Sequence, residues 1–128
     1  MSLSLSEPRV LKDITRLPGL PGITVSDDVV TIGALTRHAE IAGSETVRAH
    51  LRLLAQAVAH VAYPAIRNRG MIGGSLALND PATEYPAVAL ALGATMAVRG
   101  AGGTRPVPAS AFYAIIDAIE TVAKARAA

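Results

Sequence analysis

The chain of 128 residues contains no cysteine, no tryptophan and a single phenylalanine. Without cysteine it cannot form a disulfide, supply a thiolate nucleophile, or hold a cysteine-ligated zinc ion or iron–sulfur cluster. Any redox chemistry must therefore come from a cofactor that needs no cysteine ligand. Aromatic residues make up only 3% of the chain, so the core has few large side chains.

Long apolar runs are also missing, although 51% of the residues are hydrophobic and the mean hydropathy is +0.38. Arg, His, Asp or Gly interrupts each apolar stretch before the ~18 residues that a membrane-spanning helix needs, so we expect no membrane segment. High hydrophobicity with only 17% charged residues excludes intrinsic disorder. A chain of this length is the size of one domain or of part of a larger one.

Charge of one sign is not concentrated anywhere along the chain. Twelve basic and ten acidic residues give a net charge of +2, and the basic residues are scattered. Without a basic run or aromatic stacking residues, we expect no nucleic-acid partner. The N-terminal residues lack the basic and apolar regions of a signal peptide, so a cytoplasmic location is expected.

Two β-hairpins are predicted from short β-branched or small apolar runs that flank turn residues. The first joins residues 23–25 to residues 29–33 through a Ser-Asp-Asp turn. The second joins residues 94–99 to residues 104–107 through a glycine-rich loop. Helices are predicted between and after the hairpins, which indicates an α+β fold: a small antiparallel sheet with helices packed on one face.

The helices are predicted from caps and from apolar residues at helical spacing. Thr36 is expected to cap a short helix that runs through Ile41, and Ser44 to cap a longer one that ends before Pro64. Residues 86–92 predict a further helix, and residues from Ser110 onward the last one. The longer helix carries one apolar stripe, formed by Val47, Leu51, Leu54, Val58 and Val61.

The common catalytic and metal-binding patterns are absent from this sequence. His38, His50 and His60 do not form the i, i+4 pair of a zinc-binding helix, so no metal site is predicted. There is no Gly-x-Ser-x-Gly nucleophile elbow. The adjacent carboxylates Asp27 and Asp28 are explained by the hairpin turn alone. We therefore predict no catalytic residue in this chain.

The segment of residues 66–81 favours a ligand site. Its adjacent glycines, Gly73 and Gly74, lack Cβ atoms, so the backbone can approach a ligand closely or adopt positive φ values. Successive N–H groups at such a bend can receive a phosphate oxygen, and Arg67 and Arg69 add positive charge. An irregular loop in which the glycines merely permit a tight turn accounts for the same residues. From the residues alone both interpretations stay open, and the pattern is neither a Rossmann fingerprint nor a P-loop.

A family resemblance bears on this choice. The stretch Ile66-Arg-Asn-Arg-Gly-Met-Ile-Gly-Gly-Ser-Leu-Ala77 resembles the second flavin-binding motif, IRNxGTIGG, of the flavoprotein subunits of the xanthine dehydrogenase and carbon monoxide dehydrogenase family. Residues 31–41, 80–89 and 106–109 resemble the same family in order and spacing. The resemblance extends over residues 8–113.

The resemblance implies an FAD-binding domain of the PCMH type, which is similar to that of vanillyl-alcohol oxidase. FAD is then the expected cofactor, and it carries the redox chemistry while the protein orients and tunes it. Met71 stands where the family usually has threonine, which removes one hydroxyl group from the motif. The residues expected by analogy to bind FAD are Met71, Ile72, Gly73, Gly74, Ser75 and Glu84.

The resemblance also implies partner chains. In such enzymes a large subunit with the molybdenum cofactor oxidises the substrate and a small subunit with [2Fe–2S] clusters relays electrons. The flavin subunit then passes them to NAD⁺ or another acceptor. The family's flavin subunits are longer and carry a first lobe with another Gly-Gly loop. We therefore expect residues 1–112 to form the second lobe, a partial FAD-binding domain, and residues 113–128 a divergent C-terminal helix. The alternative is a non-enzymatic truncated remnant that keeps the fold and the subunit contacts but does not bind FAD alone.

Overall fold

The structure is a computed structural model that describes residues 9–61, 64–78 and 84–114. Helices and strands are both present, which confirms the predicted α+β class, and residues 109–114 are helical as well. In chain order the named elements are β1 (Ile23–Ser26), β2 (Val29–Ile32), α1 (His38–Gly43), α2 (Glu45–His50), α3 (Arg52–Val58), α4 (Pro64–Arg67), α5 (Ile72–Leu78), α6 (Tyr85–Ala91), β3 (Thr95–Gly100) and β4 (Gly103–Pro108).

Both predicted hairpins are present, each as a separate two-stranded antiparallel sheet. Ser26 pairs with Val29 in the first hairpin, which leaves a two-residue turn formed by Asp27 and Asp28. Their φ values of 49° and 60° are the left-handed conformations that a type I′ turn requires. The second hairpin pairs Thr95 with Pro108 at its open end. Its first strand lies one residue later than the predicted 94–99, and its second strand extends one residue beyond the predicted 104–107 at each end.

The helix predicted from Ser44 begins as expected but is broken in the middle. The Val47 N–H donates to Ser44 Oγ at 3.2 Å, which is the predicted cap. At Leu51 the backbone leaves the helical region, with φ −128° and ψ 61°, so two helices, α2 and α3, replace the single one. The apolar stripe continues across the break, with Val47 and Leu54 both buried. Periodicity alone therefore gives no sign of the interruption.

Thr36 does not cap the first helix, and that prediction was wrong. Its hydroxyl group accepts a hydrogen bond from the Gly22 N–H at 2.9 Å and donates one to the Gly22 carbonyl at 3.1 Å. Thr36 is fully buried, so these two bonds satisfy a polar group that water cannot reach. They tie the segment before β1 to the chain just before α1. The helix begins at His38 instead, with Arg37 at the N-cap.

The core lies between α1, α2, α3, α5 and α6. It contains Ile41, Val47, Leu54, Ala57, Val58, Val61, Ile72, Tyr85 and Val88. A smaller cluster joins α6 to the last helical turn through Ala89, Ala109 and Tyr113. The domain boundary predicted at residue 112 stays a prediction, and residues 115–128 of the predicted C-terminal helix lie outside the described residues. No helix in the described ranges is long and apolar enough to cross a bilayer.

Candidate cofactor-binding site

The Gly-Gly segment forms the start of helix α5, and neither predicted interpretation, an open phosphate loop or a tight turn, describes it. Met71 forms an isolated antiparallel bridge with Arg37, and α5 begins at the next residue. Neither Gly73 nor Gly74 has a positive φ. The glycines are therefore not needed for an unusual backbone conformation, and their role must lie in what a side chain would obstruct.

Gly73 is needed for packing within the protein. A Cβ atom at this position would lie 2.7 Å from both the Cβ and the carbonyl oxygen of Ala34. The Gly73 N–H donates to that same carbonyl oxygen at 2.9 Å. The chain before α1 and the first turn of α5 therefore contact each other backbone to backbone, which only glycine permits here.

Gly74 has the opposite surroundings. It is exposed, and a Cβ atom there would meet nothing within 4 Å. Among the described residues its N–H donates no backbone hydrogen bond outside α5 itself. By contrast, the N–H of Ile72 donates to Thr36 at 3.0 Å and that of Ser75 to Met71 at 3.3 Å. Of the predicted backbone donors in α5, the Gly74 N–H is thus the one left open towards solvent.

Ser75 belongs to a chain of side-chain hydrogen bonds that reaches the core. Its Oγ lies 3.3 Å from Nε2 of His38, and Nδ1 of His38 lies 2.8 Å from the hydroxyl oxygen of Tyr85. The His38 and Tyr85 rings are stacked, with their centroids 5.1 Å apart. His38 is 2% exposed and Tyr85 1% exposed, whereas Ser75 is half-buried. These hydrogen bonds therefore connect two buried rings to a side chain at the surface.

Sequence reasoning considered His38 only as a metal ligand, rejected that role, and did not predict its hydrogen bonds to Ser75 and Tyr85. His38 and Ile41 are three residues apart, so they share one face of α1, and both are buried. A polar residue on an apolar helical face is the signal that points to a partnered histidine. His50 and His60 are exposed, as their places beside the apolar stripe predict. No group of three or more potential metal ligands occurs among the described residues.

Burial changes the acid–base properties of both rings in the chain. Desolvation lowers the pKa of His38, because the charged imidazolium is disfavoured away from water. Desolvation also raises the pKa of the Tyr85 hydroxyl, because the phenolate is disfavoured for the same reason. Both side chains are therefore neutral near neutral pH.

The free energy of unfolding is expected to fall as the solution becomes mildly acidic. The unfolded chain protonates His38 near its ordinary pKa of about 6.5, while the folded chain resists protonation until a lower pH. The contribution of His38 is therefore complete above about pH 6.5 and is lost as the pH falls towards the folded-state pKa. Urea unfolding at a series of pH values measures it. The difference between wild type and His38→Gln should shrink on acidification. Parallel pH profiles for wild type and His38→Gln would contradict the expectation.

Glu84 lies apart from the glycine segment. It is exposed and precedes α6 directly, where it lines a shallow groove between α3 and α6 together with Leu53, His60 and Val88. Among the described residues no backbone hydrogen bond joins Glu84 to residues 71–75. The neighbouring residue Tyr85 provides the link, because its hydroxyl group reaches His38 and so Ser75. The structure thus brings five of the six predicted residues together at α5.

The fold and this site agree with a family comparison. Residues 1–124 match the model of a family described as the FAD binding domain in molybdopterin dehydrogenase. The chain belongs to this family of FAD-binding domains, and FAD is the cofactor that the family's description names. The resemblance found in the sequence is thereby confirmed.

Individual relatives are subunits of known oxidoreductases. The chain is 47% identical over 108 residues to the 6-hydroxypseudooxynicotine dehydrogenase complex subunit alpha of Paenarthrobacter nicotinovorans, covering 84% of this chain and 36% of that protein. It is 41% identical over 113 residues to the carbon monoxide dehydrogenase medium chain of Hydrogenophaga pseudoflava, covering 88% and 39%. The chain thus spans well under half the length of these relatives.

Solved structures give the same result. Carbon monoxide dehydrogenase from Hydrogenophaga pseudoflava superposes with a TM-score of 0.74 at 43% identity, covering 77% of this chain and 34% of that one. Quinoline 2-oxidoreductase from Pseudomonas putida 86 superposes with a TM-score of 0.68 at 39% identity, covering 70% and 32%. These similarities show that the chain shares its overall fold with these structures, and not only single hairpins or helices.

Proposed function

We propose that this protein acts in the flavin subunit of a molybdenum hydroxylase-type oxidoreductase, with FAD bound against the exposed face of α5. The open N–H of Gly74 carries this proposal. A phosphate oxygen can approach it without meeting a side chain, and the hydroxyl group of Ser75 is a second donor beside it. The family membership supplies the identity of the ligand, and these two donors suit the oxygens of its pyrophosphate.

The other predicted residues have supporting roles. Met71, Ile72 and Gly73 hold the start of α5 against the chain around Arg37 and Ala34, because their backbone groups are engaged there. Glu84 stands at the α3–α6 groove, where it is available as an acceptor for a hydroxyl group of the cofactor. Arg67 and Arg69 precede α5 in the sequence and add positive charge to this segment.

FAD supplies the redox chemistry: it accepts electrons and passes them on, which no side chain of this protein can do. We infer that electrons arrive from the iron–sulfur clusters of a [2Fe–2S] small subunit after substrate oxidation on a large subunit with the molybdenum cofactor. NAD⁺ or another acceptor then receives them. Exposed apolar side chains such as Leu53 and Leu90, on neighbouring helices, are consistent with contacts to further protein. A cytoplasmic location stays a prediction.

A second function is a structural remnant that keeps the fold and the subunit contacts without binding FAD alone. The observation that favours it is the internal use of the backbone donors of Ile72, Gly73 and Ser75. Under this alternative the open N–H of Gly74 has only water as its partner.

Purification of the 128-residue chain is expected to distinguish the two functions. A flavin-binding chain should show the visible absorption bands of oxidised flavin, or gain them after incubation with FAD and gel filtration. Its melting temperature should also rise with FAD concentration, because a ligand that binds only the folded state stabilises it. A colourless protein whose melting temperature does not rise at high FAD concentration would refute FAD binding by this chain and support the structural remnant. FMN serves as the control ligand, since it lacks the pyrophosphate and should bind more weakly.

A further inference from the structure

The tautomer of His38 follows from the need to satisfy buried groups. A neutral imidazole carries one N–H and one acceptor nitrogen. Tyr85 is 1% exposed, and within the described residues its hydroxyl group has His38 Nδ1 as its partner. If Nδ1 carried the proton, the Tyr85 O–H would have no acceptor. A buried donor without a partner lowers the stability of the folded state. The Tyr85 hydroxyl group therefore donates to Nδ1, and the imidazole proton resides on Nε2.

This tautomer determines what Ser75 can do. With its proton on Nε2, His38 donates to the Ser75 Oγ across the 3.3 Å contact. The serine hydroxyl group then acts as an acceptor towards the protein, and its own proton remains available to an outside acceptor. In the other tautomer the serine proton would be consumed by Nε2, and the hydroxyl group would offer only lone pairs outward. An anionic ligand distinguishes sharply between these two states.

The imidazole ring is also held in place on several sides. Tyr85 stacks on it, and a Cβ atom at Gly70 would lie 2.7 Å from both its Cδ2 and Nε2 atoms. The backbone N–H of His38 donates to the Gly70 carbonyl oxygen at 3.0 Å. The ring is therefore packed between Tyr85 and the backbone of Gly70, with each nitrogen next to a hydrogen-bonding partner.

Building on FAD binding as the function of this protein, we propose that His38 is a positioning residue that, locked by Tyr85, presents the Ser75 hydroxyl proton to a phosphate oxygen of the cofactor. His38 itself does not touch the ligand. Its contribution passes through Ser75, so the three residues act as one unit: Tyr85 sets the tautomer, His38 orients the serine hydroxyl group, and Ser75 binds. We call this unit of Tyr85, His38 and Ser75 the relay; the family membership says nothing of it.

A double-mutant cycle on the 128-residue chain tests whether His38 acts through Ser75. Ser75→Ala should weaken FAD binding about tenfold or more, through loss of a charge-assisted hydrogen bond. His38→Asn keeps an acceptor for Tyr85 but removes the donor to Ser75, and it should also weaken binding. In the Ser75→Ala background the same asparagine should cost less than about twofold, because the group it orients is gone. Additive losses would overturn the proposal.

A rescue variant separates the relay from a purely structural role. In His38→Gln combined with Tyr85→Phe, the glutamine amide replaces the Nε2 donor, and the phenylalanine no longer needs an acceptor. This variant should bind FAD more tightly than His38→Asn although it retains less of the native core. If affinity instead follows the melting temperature of the ligand-free variants, His38 has a packing role only and the proposal is wrong.

The tautomer itself can be read without any ligand or variant. Long-range ¹H–¹⁵N spectra of the imidazole distinguish the two neutral tautomers and the cation. We expect the Nε2-protonated form for His38 at neutral pH. A proton on Nδ1 would overturn the relay even if FAD binds. Failure of the wild-type chain to bind FAD, with the expected tautomer present, would refute the proposed function and with it the role of the relay in FAD binding.

Discussion

Gly33→Ala is expected to lower the free energy of unfolding by about 2–4 kcal/mol. The segment of residues 20–22 passes directly over Gly33, and a Cβ atom there would collide with the backbone carbonyl of Leu20. A backbone neighbour cannot move aside as a flexible side chain can. Relief of the collision would pull that segment away and break the bond from the Leu35 N–H to Leu20, as well as the two bonds between Thr36 and Gly22.

Urea unfolding followed by circular dichroism measures this loss. Gly43→Ala is the matched control, since a Cβ atom at Gly43 would meet nothing within 4 Å and the residue ends a helix. It should leave stability unchanged or raise it slightly, because alanine favours a helix over glycine. Equal stabilities for the two variants would show that residues 20–22 do not pack on Gly33. Thr36→Val should reproduce part of the Gly33→Ala effect by removing the hydroxyl bonds to Gly22.

Gly74→Val is expected to abolish FAD binding while the protein remains folded. The valine side chain would project into the open space beside the Gly74 N–H and prevent close approach of a phosphate oxygen. The loss of one charge-assisted hydrogen bond alone weakens binding at least tenfold, and the displaced cofactor adds to this. Stability of the ligand-free chain should not fall, because Gly74 is exposed, helical and free of close neighbours.

Fluorescence titration with FAD and the melting temperature of the ligand-free protein are the two measurements. Gly43→Val places the same side chain on another open helical glycine and should bind FAD normally. His50→Ala, on an exposed face of α2, should bind FAD normally as well. Gly73→Ala provides the opposite comparison: it should lower the melting temperature, because its Cβ atom would press on Ala34. Normal FAD binding by Gly74→Val would mean that the cofactor lies elsewhere.

The contrast between Gly73 and Gly74 shows how far the motif could be understood from sequence. The paired glycines indicate that the backbone must approach something closely, but the letters do not distinguish the two positions. In the folded chain Gly73 approaches Ala34 of the same protein, and Gly74 faces solvent. The close approach predicted from the glycine pair therefore serves packing at Gly73, whereas Gly74 is the glycine that we propose for ligand binding. Only the register of α5 against the preceding chain decides which glycine does which.

The turn and the helix cap that depend on neighbouring residues could be predicted from the sequence. The turn at Asp27 and Asp28 requires only left-handed backbone conformations, which aspartate tolerates, and the Ser44 cap requires a side chain that reaches three residues onward. The hydroxyl bonds of Thr36 depend on a partner that is distant in sequence. The apolar periodicity runs unchanged through the break at Leu51, so the sequence pattern does not indicate the break. Threonine at a helix start is a reasonable cap, but Gly22, fourteen residues earlier, competes successfully for its hydroxyl group.

The sequence by itself determined several properties of this protein. The absence of cysteine places any iron–sulfur cluster ligated by cysteine outside this chain, and the Ile66–Ala77 stretch with its flanking blocks identifies the FAD-binding family. The α+β class follows from periodicity and turn residues. These properties depend on composition and on neighbours along the chain, which a sequence displays directly.

The tertiary structure alone decided the site's polar connections. His38 and Tyr85 are 47 residues apart, and His38 and Ser75 are 37 apart, yet folding brings each pair into hydrogen-bonding distance. Of the protein's three tyrosines, Tyr85 thus lies in the core where it sets the tautomer of a buried histidine. Such a relay exists only after burial has removed water as a competing partner, and no local pattern records that event.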